Sequence, residues 1–238
     1  MDIKASDVKA LRDMTGAGML DCKKALTETN GDMDKAVDYL REKGISKAAK
    51  KQDRIAAEGL AAIYSEGNKA VILEVNSETD FVSKNSEFVS MVETIGKAIL
   101  NSDVKEVEEA LNLPLENGTV NDLIINETAT IGEKLSLRRF TLVTKSDDEV
   151  FGKYIHMGGR IASLVVVTGS NEEVAKDVAM QSAAMRPKYA RREDVPAEEV
   201  EHERTVLTEQ ALNEGAKKEF VDKIIAGRLN KFYAEICL

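Results

Sequence analysis

Gly16-Ala17-Gly18, Cys22, His156, His202, the pair Asp147-Asp148 and the run Glu78-Thr79-Asp80-Phe81 are the places in this 238-residue chain whose residue types suggest chemistry. Each needs partners at the right spacing. A phosphate-cradling loop reads Gly-x-x-x-x-Gly-Lys-Ser/Thr, and the chain has none. Gly16-Ala17-Gly18 lacks the third glycine of a dinucleotide fingerprint and follows no strand. Cys22 falls on a helical pattern without a nearby histidine, where it reads as a small core residue rather than a nucleophile. Asp147-Asp148 looks like an acid–base pair, but it lies in a polar turn that favours aspartate for backbone reasons. His202 sits on a charged helical stretch, where a surface role is the default. Two histidines and two cysteines supply neither a His-rich metal site nor a disulfide scaffold. No catalytic residue, metal site or cofactor is expected.

The segment Glu74-Val75-Asn76-Ser77-Glu78-Thr79-Asp80-Phe81-Val82-Ser83-Lys84 is different. A strand pattern ends, and an acid beside a large aromatic stands in polar surroundings before the next helix. Either Asp80 caps a turn while Phe81 tucks into the core, or the two are exposed as a wedge for a partner, where one aromatic anchor can carry about 2 kcal/mol of binding or more. Two other classes stand beside the wedge. An adaptor would bind through residues 1–45 alone. An α/β enzyme would need Glu78, Asp80 and His156 to converge.

The chain around these residues is acidic, with 33 Lys and Arg against 42 Asp and Glu and a net charge of −9. Binding to nucleic acid by bulk electrostatics needs the opposite sign. Apolar residues at 43% suffice for a packed core, and three prolines favour helices over loops. No run approaches the ~20 apolar residues of a membrane span, and Met1-Asp2-Ile3-Lys4 lacks a signal or transit pattern, so a cytoplasmic protein is expected.

Residues 1–45 read as three short helices. Ser6 is the expected cap before Val8, Leu11 and Met14, and the glycines at 16 and 18 break the pattern. Met19, Cys22, Ala25 and Leu26 mark the second helix. Asn30-Gly31-Asp32 turns the chain into a third with Ala36, Val37 and Leu40, which Gly44 is expected to stop. Residues 46–54, with Lys47, Lys50, Lys51 and Arg54, read as a solvated basic helical linker; a nucleic-acid contact is the sharper alternative, but no aromatics accompany the charges.

Periodicity then becomes strand-like. Residues 60–64 and 70–75 flank Ser65-Glu66-Gly67-Asn68 as a hairpin, followed by a helix over 85–100 with the stripe Phe88, Met91, Val92, Ile95 and Ile99, and a helix over 120–131. The plan recurs about 90 residues later: strands at 135–144, 150–156 and 161–168, then a helix over 172–185. Two related α+β subdomains follow, 55–134 and 135–186. Residues 187–232 predict an antiparallel helical hairpin, with Val200, Leu207 and Leu212 facing Phe220, Ile224, Ile225 and Leu229. The last six residues, 233–238, read as the start of a strand continuing the second subdomain, with nothing after it to close the sheet.

Two long motifs in order are more specific than any of these patterns. Leu11-Arg12-x-x-Thr15-Gly16-Ala17-Gly18-Met19-Leu20-Asp21-Cys22-Lys23-Lys24-Ala25-Leu26 and residues 74–84 resemble the two signatures of the bacterial elongation factor Ts family. Ile131-Gly132-Glu133-Lys134 with Arg138-Arg139, Tyr154-x-His156-x-x-Gly159-Arg160-Ile161, and Glu193-Asp194-Val195 match as well, and the resemblance runs colinearly over essentially the whole chain. It implies an α+β multidomain protein with an N-terminal module similar to ubiquitin-associated domains, two core subdomains and a protruding coiled coil. It implies a guanine nucleotide exchange factor for elongation factor Tu, with no bond-making chemistry, no membrane and no direct nucleic-acid partner. Thr79, Asp80, Phe81 and Val82 match the wedge that enters the partner's nucleotide domain near its Mg²⁺. Thr15, Gly16, Ala17, Gly18, Met19 and Leu20 match the N-terminal contact, and His156 a contact in the second subdomain, where a satisfied sheet histidine is the competing role. The hairpin stripe could serve self-association. Family members continue some tens of residues past the position of Leu238, so the expectation here is a chain short of its closing strand.

Overall fold

The computed structural model describes residues 3–15 and 17–238. Helices α1 (Ala5–Thr15), α2 (Met19–Glu28) and α3 (Met33–Ala49) enclose a small core of Val8, Leu11, Cys22, Ala25, Leu26 and Ala36. Asn30 and Gly31 take positive φ between α2 and α3, and the Asp32 carboxylate accepts the Lys35 N–H as the expected cap. Ser6 lies inside α1 rather than before it, with its hydroxyl on Asp7. Met14 is exposed and takes no part in the core.

Gly44 does not stop α3, which runs on to Ala49. Its missing side chain serves packing instead: a Cβ there would stand 3.4 Å from the Ala129 Cβ of α6 (Val120–Ile131), the helix α3 crosses. Arg41 on α3 also pairs with Asp122 on α6 at 3.4 Å. The rest of the basic stretch is neither helical nor free. Residues 50–54 turn back on the core, with the Lys51 ammonium donating to the Gly132 carbonyl at 2.6 Å and Lys134 donating to the Gln52 and Arg54 carbonyls.

The first sheet has the order β1 (Glu58–Glu66), β2 (Lys69–Ser77), β5 (Ser136–Thr144), all antiparallel, with β1 and β2 joined by the expected turn. Val71, Leu73 and Val75 alternate onto one face of β2, where α4 (Ser86–Leu100) lays its stripe of Phe88, Met91, Val92, Ile95 and Ile99. Each such burial is worth about 1.5–3 kcal/mol, which makes this the main core. Asn85 caps α4 by accepting the Glu87 and Phe88 N–H groups. After the short helix α5 (Val107–Leu111), the two-residue strands β3 (Pro114–Leu115) and β4 (Gly118–Thr119) lead into α6. That helix starts at a reciprocal Thr119–Asp122 capping box.

The strand expected to open a second subdomain is β5, and it completes the first sheet instead. Leu135 and Leu137 are buried in the main core, so β5 pairs with β2 and not with its sequence neighbour. The change of sheet comes at residues 145–148, after which β6 (Glu149–His156) pairs with β7 (Ile161–Thr168) in a two-stranded sheet. Helix α7 (Glu172–Met185), capped by Asn171, packs on this pair. The strand–strand–helix plan does recur, as β1-β2-α4 and β6-β7-α7.

Helices α8 (Ala197–Asn213) and α9 (Lys218–Ile236) pack together through Leu207, Ala211, Val221, Ile225 and Leu229. Leu212 and Phe220, assigned to the facing stripes by spacing, are exposed near the turn between them. The strand expected over 233–238 is also absent: Tyr233–Ile236 continue α9, and Cys237 forms a single parallel bridge to Tyr189. Long-helix periodicity carries through Tyr233 once Leu229 and Phe232 are in the hairpin core.

Two glycines separate tight packing from idle flexibility. A Cβ on Gly152 in β6 would stand 1.9 Å from the Ala175 carbonyl oxygen of α7, whereas Gly227 in α9 has open space around it. Gly152→Ala is expected to cost about 2 kcal/mol or more through overpacking. Gly227→Ala is expected to gain about 1 kcal/mol through helix propensity. Denaturant midpoints read both, and shifts of the same sign would contradict this packing.

Candidate functional site

The loop after β2 is where the sequence motifs meet. Ser77 closes the strand, buried, with its hydroxyl on the Thr79 carbonyl at 2.9 Å. Val82 opens a 3₁₀ turn and is buried in the main core, so it anchors the loop from below. Between these fixed ends Phe81 is 82% exposed and Asp80 half-exposed. An aromatic side chain left in water on an ordered loop is the opposite of the core reading, and α4 takes its cap from Asn85, not from Asp80.

Glu133 holds the loop backbone in place. Gly132 ends α6 at φ 89, a left-handed conformation suited to glycine, and turns the chain toward the loop. One Glu133 oxygen accepts the Glu78 N–H at 3.1 Å and the Thr79 N–H at 2.9 Å; the other accepts the Thr79 hydroxyl at 2.6 Å. In return the Glu78 carboxylate accepts the Lys134 N–H at 2.6 Å and lies 3.3 Å from the Arg54 guanidinium. The two segments therefore exchange side chain-to-backbone bonds across more than fifty residues. On the strand below, Glu74 meets Arg139 at 2.7 Å and Arg138 at 3.0 Å. Burial acts to raise the Glu74 carboxyl, but Arg139, Asn76 and Arg138 outweigh it and leave it below the usual range.

The β6–β7 turn approaches the same loop from the other sheet. Met157, Gly158 and Gly159 all have positive φ, and the Gly159 carbonyl accepts the Ala61 N–H of β1 at 2.7 Å. A side chain at 159 would collide with Leu60, 2.2 Å away, so only glycine lets the turn sit this close. Arg160 thereby lies 3.6 Å from Glu58 and 3.9 Å from Asp80. His156 ends β6 in solvent, with Nδ1 2.9 Å from the Tyr154 hydroxyl and the two rings stacked.

The expected N-terminal residues occupy another region. Thr15 donates its hydroxyl to the Leu11 carbonyl, and with Ala17 and Gly18 it lines a cleft of about 800 Å³ beside Ala129 and Thr130 of α6. Met19 and Leu20 face solvent, Leu20 at 83% exposure. Gly16 lies outside the described residues. Cys22 is buried, and burial pushes its thiol up, as suits a core residue.

Glu78, Asp80 and His156 do not form one constellation, since their closest partners are Lys134 and Arg54, Arg160, and Tyr154 respectively. Sequence reasoning picked out the loop tip and missed what braces it: Glu133, Arg54 and Arg160. Glu133 and Arg160 lie inside matched motifs, but nothing local in the sequence gives them a role. Arg54 sits in the stretch read as solvated linker.

The Lys134 N–H, with help from Arg54, holds the Glu78 carboxyl below the usual range. A carboxyl depressed by folding stabilises above its unfolded value, about 4.3 for glutamate, and that stability is lost as pH falls through the lower folded value. Wild type is therefore expected to lose its advantage over Glu78→Gln as pH falls from neutrality to below the unfolded value of about 4.3, as read from denaturant midpoints. An advantage that stays constant across that window would remove the charge from the brace.

The family model described as Elongation factor TS matches residues 78–238. The match begins at Glu78, so the loop tip, Glu133 and the β6–β7 turn lie inside it, while α1–α3 precede it. It covers more than half of the sequence, and the chain belongs to the elongation factor Ts family of nucleotide exchange factors.

Proposed function

We propose that this chain is a guanine nucleotide exchange factor for the translational GTPase elongation factor Tu, acting in the cytoplasm without a cofactor, a membrane or direct contact with nucleic acid. Phe81 carries the reading: a large apolar ring, 82% exposed, at the tip of a loop whose ends are buried and whose backbone is bonded to Glu133. A side chain so placed costs solvation energy in the free chain and recovers it in a partner's apolar pocket.

The mechanism needs no general base. GDP is held in such GTPases by backbone amides of a phosphate loop and by Mg²⁺ bridging the phosphates. A protein that binds the empty, opened state more tightly than the GDP-bound state weakens GDP by the same factor, because the linkage is reciprocal. A thousandfold acceleration of release needs roughly 4 kcal/mol of preference for the opened state. In this reading Phe81 enters between elements of the nucleotide domain while Asp80 disturbs the groups around Mg²⁺. The phosphates are then poorly neutralised and GDP leaves. Thr79 and Val82 hold the tip, the first through Glu133 and the second through the core.

The three helices α1–α3 act as a module of the ubiquitin-associated type. Met19 and Leu20 touch the same domain of the partner, and Thr15 to Gly18 shape the turn that presents them. His156, in solvent at the end of β6, meets a second part of the partner. Helices α8 and α9 form the family's projecting coiled coil; self-association through it would rest on the exposed Leu212 and Phe220.

Phe81→Ala is expected to slow stimulated release of a fluorescent GDP from elongation factor Tu by about tenfold or more, with an unchanged melting temperature because the ring is in solvent. Release as fast as with wild type would overturn the wedge.

A further inference from the structure

We propose that Glu133 is the positioning residue of the exchange loop, fixing the backbone from which Phe81 projects and so setting how readily the factor engages its partner. The inference rests on the exchange-factor reading and extends it to a residue whose carboxylate is engaged by the loop's own backbone.

Four residues, 78–81, span the buried anchors Ser77 and Val82. Local bonds within the span, from the Ser77 hydroxyl to the Thr79 carbonyl and the Ser83 hydroxyl to the Asp80 carbonyl, engage acceptors only. The N–H groups of Glu78 and Thr79 and the Thr79 hydroxyl all converge on the Glu133 carboxylate. Removing that carboxylate strips three donors of their acceptor at once, in a part-buried setting where an unsatisfied polar group is costly. The Glu78 limb cannot substitute, because it receives its bond from Lys134 on the opposite segment.

The position of Glu133 also joins two regions of the proposed interface. Gly132 and Lys134, on either side of it, hold residues 51–54 through Lys51, Gln52 and Arg54. The chain leading from α1–α3 is therefore fastened to the same clasp that holds the loop. An ordered loop reaches its partner without first losing conformational freedom, so affinity gains while the chemistry at the tip is unchanged.

Rates of GDP release from elongation factor Tu are measured against factor concentration for wild type, Glu133→Ala, Glu133→Gln, Phe81→Ala and the Glu133→Ala/Phe81→Ala double variant. Amide hydrogen exchange of residues 77–84 is followed in the free proteins. Glu133→Ala is expected to raise the half-maximal factor concentration about tenfold while the maximal rate changes less than about threefold, the scale of losing bonds to a charged acceptor. Its Glu78 and Thr79 amides should exchange rapidly while those of α4 stay protected. Glu133→Gln keeps an acceptor oxygen and should restore most of the lost affinity. The double variant should be no worse than Phe81→Ala alone, because Glu133 acts through the ring's placement. An additive double variant, protected loop amides in Glu133→Ala, or a Gln variant as impaired as the Ala variant would each overturn the assignment. A wild-type chain that does not speed GDP release removes the exchange reading, and the role with it. The amide exchange then still reports whether the clasp exists, which separates the two failures.

Discussion

A carboxylate bonded to two successive backbone N–H groups is the constraint on which the exposed loop depends. Glu133 takes the Glu78 and Thr79 amides, and Glu78 answers by taking the Lys134 amide. Both segments are ends of elements, one leaving β2 and the other leaving α6, and each has backbone groups that its own sheet or helix no longer satisfies. The clasp meets both needs with two glutamates. It works because β5 follows Glu133 closely and returns to pair with β2, bringing the end of α6 beside the end of β2. The pairing of β5 and the shape of the loop are therefore one problem.

That dependence explains what could be read from the sequence. Helices α4, α6 and α7 were legible nearly to the residue because their stripes and caps, Asn85, Thr119 and Asn171, are local. The hairpin of β1 and β2 was legible from its turn. The partner of β5 was not, since strand-like residues at 136–144 do not by themselves choose between β2 and β6, and the choice is made by which core Leu135 and Leu137 enter. Gly44 misled for a related reason: alone it signals a helix end, and only the crossing of α3 over α6 gives it a packing role inside the helix. Asp80 and Phe81 stood out as a pair unusual in type, but exposure separates a core aromatic from a projecting one, and exposure is set by Ser77 and Val82 on either side.

The same separation between local and distant holds at the second turn. Tyr154, His156 and Gly159 were visible as a motif, yet the turn that contains Gly159 also carries Arg160 to Asp80, on the loop that leaves the other sheet. Gly159 makes this feasible by letting the turn lie on Leu60 and Ala61 with its carbonyl bonded to β1. A substitution there would act on Asp80 without touching it, by moving the guanidinium rather than the carboxylate.

The bonds at the loop differ in strength between the Asp80 side chain and the backbone that carries it. The Asp80 carboxylate pairs with Arg160 at 3.9 Å with both side chains well exposed, and Arg160 is shared with Glu58. A solvated ion pair of that kind is worth about 0–1 kcal/mol, so a partner's charged groups can take Asp80 at little cost. The backbone amides beneath it are bonded to a carboxylate, a class of hydrogen bond worth about 1.5–3 kcal/mol, and two are held at once. The Asp80 side chain is thus loosely held and the backbone beneath it firmly held, the division of labour that the proposed wedge calls for. Were the order reversed, with Asp80 locked and residues 78–79 loose, the proposed wedge would first have to order its own backbone on meeting a partner, and affinity would fall.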